Sequence, residues 1–331
     1  MHKTADRKKA AGKYFRSWGS GLAWFLLLAA FVVYPFLGSV TYITLLTEIY
    51  ILGLAAMSVN LLLGYSGLLA FGHASLFASG AYTVAIMAKH TGLPFGINLI
   101  CGALVPVAVA FVMGYFCVRT VAFSFGMLTL CFGMLIYTIV WKAYSITGGE
   151  DGCVGWFEKI PTVIKTPIGG YFFTLIIVSL CIFFMWRLVN SPFGWVLRAS
   201  RENRVRVEAI GINIRRYQLL NFVISGFIAG IAGILFAIHQ RGAYPEFSYW
   251  IKSGDFVMMC LLGGMFNFMG PMVGAAIITA LEYWVLKITE WWPMLMGFIL
   301  LLCVLFLRGG VAGFASERLR RWQKSKSTTE G

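Results

Sequence analysis

The chain has 331 residues, of which 59% are hydrophobic and 12% charged. A soluble globular domain is nearer a quarter charged, so this balance excludes one and requires a protein that meets lipid along most of its length. The formal net charge of +14 does not indicate nucleic acid, because the basic residues gather at both termini and in one central loop, as positive-inside topology demands.

Residues 1–20 form a basic tail in which Lys3, Arg7, Lys8, Lys9, Lys13 and Arg16 face Asp6 alone. The apolar segment at 22–37 lacks a small-x-small cleavage site and reads as an uncleaved first span. No Asp, Glu, Lys or Arg occurs from Ile49 to Ala88, more than the roughly 20 residues one span needs. Such long, non-alternating runs predict helices rather than a barrel. The expected fold is therefore all-α and polytopic, with a single transmembrane domain over 21–310.

A span is expected at 41–63, followed by glycines at 64, 67, 72 and 80. Each weakens a helix by about 1 kcal/mol relative to alanine, which predicts a broken segment facing a cavity or neighbouring protein. A short span at 74–88 follows, then spans at 97–118 and 121–141 joined by a turn at Arg119. The polar loop 142–170 carries Thr147-Gly-Gly-Glu-Asp-Gly152 with nearly cancelling charges, which suits the outer side. A span at 171–188 leads to the central loop 190–216.

In that loop Ser191 and Pro192 can open a helix as N-cap and first residue, and Gly211 can close it. Glu202 with Arg206, and Arg204 with Glu208, stand four apart as helical ion pairs, each worth a few tenths of a kcal/mol. The stretch is thus a charged helix in water, either a topology-setting loop or a docking element for a soluble partner. Beyond it, a span at 217–238 has small residues at Ser225, Ala229, Gly233 and Ala237, with Gly226 and Gly230 beside them, as expected of a helix inside a bundle. After an outer loop at 239–253, Gly263-Gly264 and Gly270-Pro271 break the next apolar run into segments at 254–268 and 271–286. A last span at 294–307 precedes a second basic tail at 311–331. The total is about ten membrane segments, with the central loop and both termini on the cytoplasmic side. One glycine-broken region falls in each half, which suggests an internal repeat with a translocation route near the midplane; the plainer alternative is glycine at helix contacts.

Catalytic chemistry is not legible. The chain has no phosphate loop, no metal-ligand spacing and no nucleophile elbow, so neither an enzyme nor a metal site is expected. Of seven cysteines, six (101, 117, 131, 181, 260 and 303) lie in apolar runs, and Cys153 lies in a polar loop. Ionisable residues within spans are few: Glu48, His73, Asp255 and Glu282. His73 is open to two readings, a residue lining the route or a structural hydrogen bond to a carbonyl. The scarcity of charge argues for a neutral or zwitterionic solute, with energy supplied from elsewhere.

Four stretches together resemble the permease subunits of branched-chain amino acid ABC importers of the LivM type. They are Gly64-Tyr-Ser-Gly-Leu-Leu-Ala-Phe-Gly-His-Ala-Ser-Leu-Phe-Ala-Ser-Gly-Ala-Tyr82, the Thr147–Gly152 motif, Ser191-Pro-Phe-Gly194 through Glu208-Ala-Ile-Gly-Ile-Asn213 and on into Phe222 to Ala237, and Leu262-Gly-Gly-Met-Phe-Asn-Phe-Met-Gly-Pro-Met-Val-Gly-Ala275. Cys153 and Val154 depart from the aliphatic pattern expected after the outer motif. The resemblance implies a pathway formed with a sister permease, driven by two cytosolic ATPases and fed by an extracytoplasmic solute-binding protein in a bacterial-type plasma membrane. It implies no cofactor on this chain, with ATP and Mg on the ATPase. It implies ATPase coupling through Arg198, Glu202, Arg206, Glu208, Ala209 and Gly211, while the two glycine breaks give Gly67, Gly72, His73, Gly263, Gly264, Gly270 and Pro271 as expected pathway residues. Permeases for urea, short amides or other small solutes share the pattern. A stand-alone secondary transporter is the alternative of another class.

Overall fold

The computed structural model describes residues 39–91, 93–120 and 122–287, with 291, 294, 295, 297, 298, 310 and 311. The expected spans at 22–37 and 294–307 and both basic tails lie largely or wholly outside the described residues. Within them the chain is helical, and the expected all-α class holds.

Helix α1, Val40–Asn60, runs directly into a π-helical turn, Leu61–Ser66. Next come α2, His73–His90, α3, Phe95–Cys117, α4, Ala122–Lys142, and α5, Pro167–Val189. Two short helices in the central loop, α6, Pro192–Glu202, and α7, Arg204–Ala209, precede α8, Ile214–Gln240. Helices α9, Trp250–Gly263, and α10, Gly270–Val285, complete the described order. Five helices are long and apolar enough to cross a membrane: α1 with its π turn, α3, α4, α5 and α8. Helices α2, α9 and α10 coincide with the three short segments expected from the glycine breaks but do not meet that length and hydropathy together.

Burial separates centre from periphery. The apolar windows of α1 and α8 are 83% and 67% buried, against 22%, 28% and 33% for α3, α4 and α5. The outer faces of α3 and α5 carry Ile100, Leu104, Phe111, Ile176, Leu180 and Phe183, side chains suited to lipid tails. The small residues of α8 serve two neighbours. A Cβ on Gly233 would strike the backbone of Phe77 in α2, and one on Gly226 or Gly230 would strike Ala110 or Pro106 of α3. Without side chains in the way, α8 and α2 bring their backbones together, and dispersion replaces the hydrophobic drive that lipid cannot supply. Beside them Phe125 and Phe222 meet edge to face at 5.8 Å, within a buried cluster that includes Leu62, Leu76 and Met113.

At one end of this bundle the loops 143–166 and 241–249 join. Cys153 N–H donates to the Ala243 carbonyl at 2.8 Å and Ala243 N–H donates back at 3.1 Å. Trp156, fully buried, donates from Nε1 to the Cys153 carbonyl at 3.1 Å. The departure at Cys153 is thereby accommodated: its backbone forms the bridge, and burial raises its thiol pKa, with Lys89 opposing the shift.

Candidate functional site

The opposite end gathers the charged loop and both glycine breaks. The loop is not one helix. At Asn203 the backbone is extended, φ −157° and ψ 99°, and the Asn203 side chain accepts from Arg206 N–H at 2.9 Å as the N-cap of α7. An Asx side chain satisfies an otherwise orphaned amide there, so the chain turns and begins again. The single charged helix expected between Ser191 and Gly211 is therefore two helices. Glu202 and Arg206 fall on different helices and do not form the expected helical pair. Arg204 and Glu208 do pair, Nε to Oε1 at 3.0 Å. Ser191 holds the N-cap position of α6 but donates its hydroxyl to the Leu188 carbonyl at 2.6 Å rather than capping an amide. Gly211 lies just past the end of α7, as expected of a stop.

Glu202, Arg206, Glu208, Ala209 and Gly211 are exposed on this element, and Arg198 is half-buried. Among them stand three large apolar side chains in the open: Trp195 at 64%, Val205 at 76% and Ile210 at 72%. Gly194, Leu197 and Ser200 are buried and turn the other side of α6 toward the bundle.

That inner side bears Arg198 and Arg201, three apart and so on one face. Arg198 lies 5.1 Å above the Tyr65 ring and 5.3 Å from Trp195, and donates to the Val189 carbonyl at 3.3 Å. Arg201 reaches further. Its Nη1 donates to the Gly64 carbonyl, its guanidinium lies 5.1 Å from the Phe266 ring centre, and its stem covers Gly67. Gly67 ends the π turn with φ 69°, a left-handed conformation that a side chain would strain.

The two breaks touch. A Cβ on Gly64 would strike the Met265 carbonyl, and one on Gly53 would strike Met272 of α10. Within the second break, Gly263 and Gly274 let α9 and α10 approach backbone to backbone, with Gly264 at the start of the turn between them and Gly270 and Pro271 opening α10. Gly72 opens α2 against the Thr129 carbonyl of α4. The plainer reading, glycine where helices press together, describes Gly72, Gly263 and Gly270 well.

His73 is fully buried next to the first break. Its Nε2 lies 2.9 Å from Ser58 Oγ and 3.5 Å from Ser225 Oγ. Ser58 donates its hydroxyl proton to the Ala55 carbonyl and Ser225 donates to the Ser58 carbonyl. Both oxygens therefore accept from His73, which fixes the Nε2–H tautomer and leaves Nδ1 as an acceptor. His73 thus hydrogen-bonds to hydroxyls, where its structural reading expected a carbonyl. Asn221 adds a second tie, donating to Leu61 O at 2.7 Å and Ser66 Oγ at 2.8 Å. Ser253 of α9 accepts from Ala74 N–H at 2.8 Å. Within α9, Lys252 Nζ lies 3.7 Å from Asp255 Oδ2.

Arg201, Tyr65, Phe266, Asn221 and Ser225 were not singled out in the sequence as site residues. A usable signal existed for Arg201, its three-residue spacing from Arg198. The polar Asn221 and Ser225, one turn apart in an otherwise apolar span, carried a second.

Residues 41–305 match the sequence profile of the family described as branched-chain amino acid transport system / permease component. The chain belongs to this permease family. Among curated relatives, the high-affinity branched-chain amino acid transport system permease protein LivM of Salmonella typhimurium is 28% identical, the match covering 89% of this chain and 75% of the relative. LivM of Escherichia coli K12 gives the same identity and coverage. The autoinducer 2 import system permease protein LsrC of Yersinia pseudotuberculosis is 23% identical, over 92% of this chain and 89% of the relative. No solved structure matches the permease. As a permease the chain is a multi-pass membrane protein, consistent with its long apolar helices.

Proposed function

We propose that this permease is the membrane-spanning subunit of an ATP-driven importer of branched-chain or related amino acids. In this reading α6 and α7 dock on a cytosolic ATPase, which holds the ATP and Mg, and two such ATPases serve a pair of permeases. An extracytoplasmic binding protein delivers the solute to the end closed by the Cys153–Ala243 bridge. The membrane is the inner membrane, with the central loop and both termini in the cytoplasm.

The observation that carries the reading is the exposure of Trp195, Val205 and Ile210 on an otherwise charged, water-facing element. A purely topological loop needs its charges but not three exposed apolar side chains together. An apolar core with a charged rim is what a docked protein would cover. Closure of the ATPases on ATP then draws the docking helices together. The helices they contact change packing, and access alternates between the two sides. The pathway residues proposed are Gly67, Gly72, His73, Gly263, Gly264, Gly270 and Pro271, which border the two breaks.

The likeness to LsrC favours a second reading of the cargo alone: another small polar solute carried by the same machinery. Gentle purification from native membranes tests the first reading. An ATPase with a phosphate loop and a sister permease are expected to co-purify, and replacing Val205 and Ile210 with Asp should release the ATPase. Solitary purification, with ion-driven uptake by the chain alone, would sink the reading. Vesicles given ATP and labelled leucine then separate the two cargo classes.

A further inference from the structure

The geometry points to Arg201 as the positioning residue that transmits motion of the docking helices to both glycine breaks at once. The inference rests on the ATP-driven reading above.

The argument begins with the π turn. In an α-helix the amide of Leu68 would bond to Gly64. Here it bonds to Leu62 at 3.0 Å, and the Gly67 amide also goes to Leu62. The wider turn leaves the Gly64 carbonyl to another donor, and Arg201 supplies it from a helix 137 residues away in sequence. A charged donor to a carbonyl away from bulk water makes a strong bond, stronger than a neutral pair.

Arg201 makes this bond while serving two other surfaces. Its methylene stem lies over Gly67, where an added Cβ would come within 2.9 Å of Arg201 Cγ. The face of its guanidinium lies over Phe266, in the turn between α9 and α10. A planar, delocalised cation can donate in its plane and stack on a ring at the same time; an ammonium group cannot. Gly64 and Met265 are themselves in backbone contact, so one side chain sits where α6, the π turn and the second break converge. Arg198, its neighbour on the same face, returns its hydrogen bond to Val189 at the end of α5 and so anchors α6 to its own approach. Displacement of α6 would therefore drag or release Gly64 and Phe266 together through Arg201.

The test uses the complex purified from native membranes with its ATPase. A reporter cysteine replaces Leu69, next to the first break, and its maleimide labelling rate is compared with and without ATP plus vanadate. With Arg201 present, the rate is expected to change by about 5-fold between the two states. In Arg201→Lys and Arg201→Ala the change should fall below about 1.5-fold, while ATPase binding is retained and hydrolysis stays within about 2-fold. A merely structural role would not separate hydrolysis from the movement of the break. Arg201→Lys keeps the charge, and Phe266→Leu alters a side chain that is 58% exposed, so these variants decide the matter should Arg201→Ala fail to accumulate. An undiminished change in Arg201→Lys and Arg201→Ala overturns the transmission role. So does a reporter blind to nucleotide in the otherwise unaltered complex. Absence of any ATPase from the complex overturns the ATP-driven reading, and Arg201 falls with it.

Discussion

The loops 143–166 and 241–249 join through paired backbone hydrogen bonds at 2.8 and 3.1 Å, with Trp156 fully buried beside them. At the other end, the turns at 67–72 and 264–269 are held against the charged helices through the side chain of Arg201. A backbone bridge is insensitive to most substitutions and cannot be regripped elsewhere. A long cationic side chain can let go of one carbonyl and take another at little cost. The difference suits an end that stays assembled and an end that must change partners.

Four measurements would break or sharpen this contrast. The largest effect is expected at Gly152, which has φ 73° and whose added Cβ would come within 2.6 Å of the Ala243 carbonyl. Gly152→Val combines backbone strain with loss of the bridge and should cost about 3 kcal/mol, read as a sharply lower unfolding temperature in detergent. A silent Gly152→Val would mean that the bridge does not hold this end. Trp156→Phe removes one buried donor while keeping most of the ring and should cost about 1 kcal/mol in the same assay.

Cys153 offers a chemical probe of the same end. Its raised pKa keeps the thiol neutral, so maleimide labelling in the folded protein should be at least about 10-fold slower than in denaturant at pH 8. The sign for stability follows: the benefit of burying the neutral thiol is complete below the ordinary thiol range. It declines as pH rises above that range, because the unfolded chain ionises first. Fast labelling at neutral pH would show that this end opens. The smallest effect is expected at the Arg204–Glu208 pair, with side chains 35% and 48% exposed. Arg204→Ala should change unfolding by no more than about 0.5 kcal/mol.

The spans within the described residues were legible because lipid leaves little choice: a backbone crossing it must be helical, and the apolar run marks where. The inner place of α8 was legible too, from Ser225, Ala229 and Gly233. The division of the charged loop was missed although Asn203, an N-cap residue, stood at the division; a dense run of charges and helix formers masked it. The glycines marked the two breaks but not the π turn, whose register depends on which amide finds which carbonyl. Nothing local could join Cys153 to Ala243 or Arg201 to Gly64, since those contacts arise only once distant helices have packed.

The π turn has a further consequence in chain length. A turn with hydrogen bonds five residues apart is an α-helix that has absorbed one extra residue. Deleting one residue between 61 and 66 would let α1 continue in ordinary α-helical register, with the chain after it kept near its present orientation. The carbonyl now offered to Arg201 would then be spent inside the helix. This permease is thus one residue away from a chain of nearly the same composition and hydropathy in which Arg201 would lose its carbonyl and keep only the Phe266 ring.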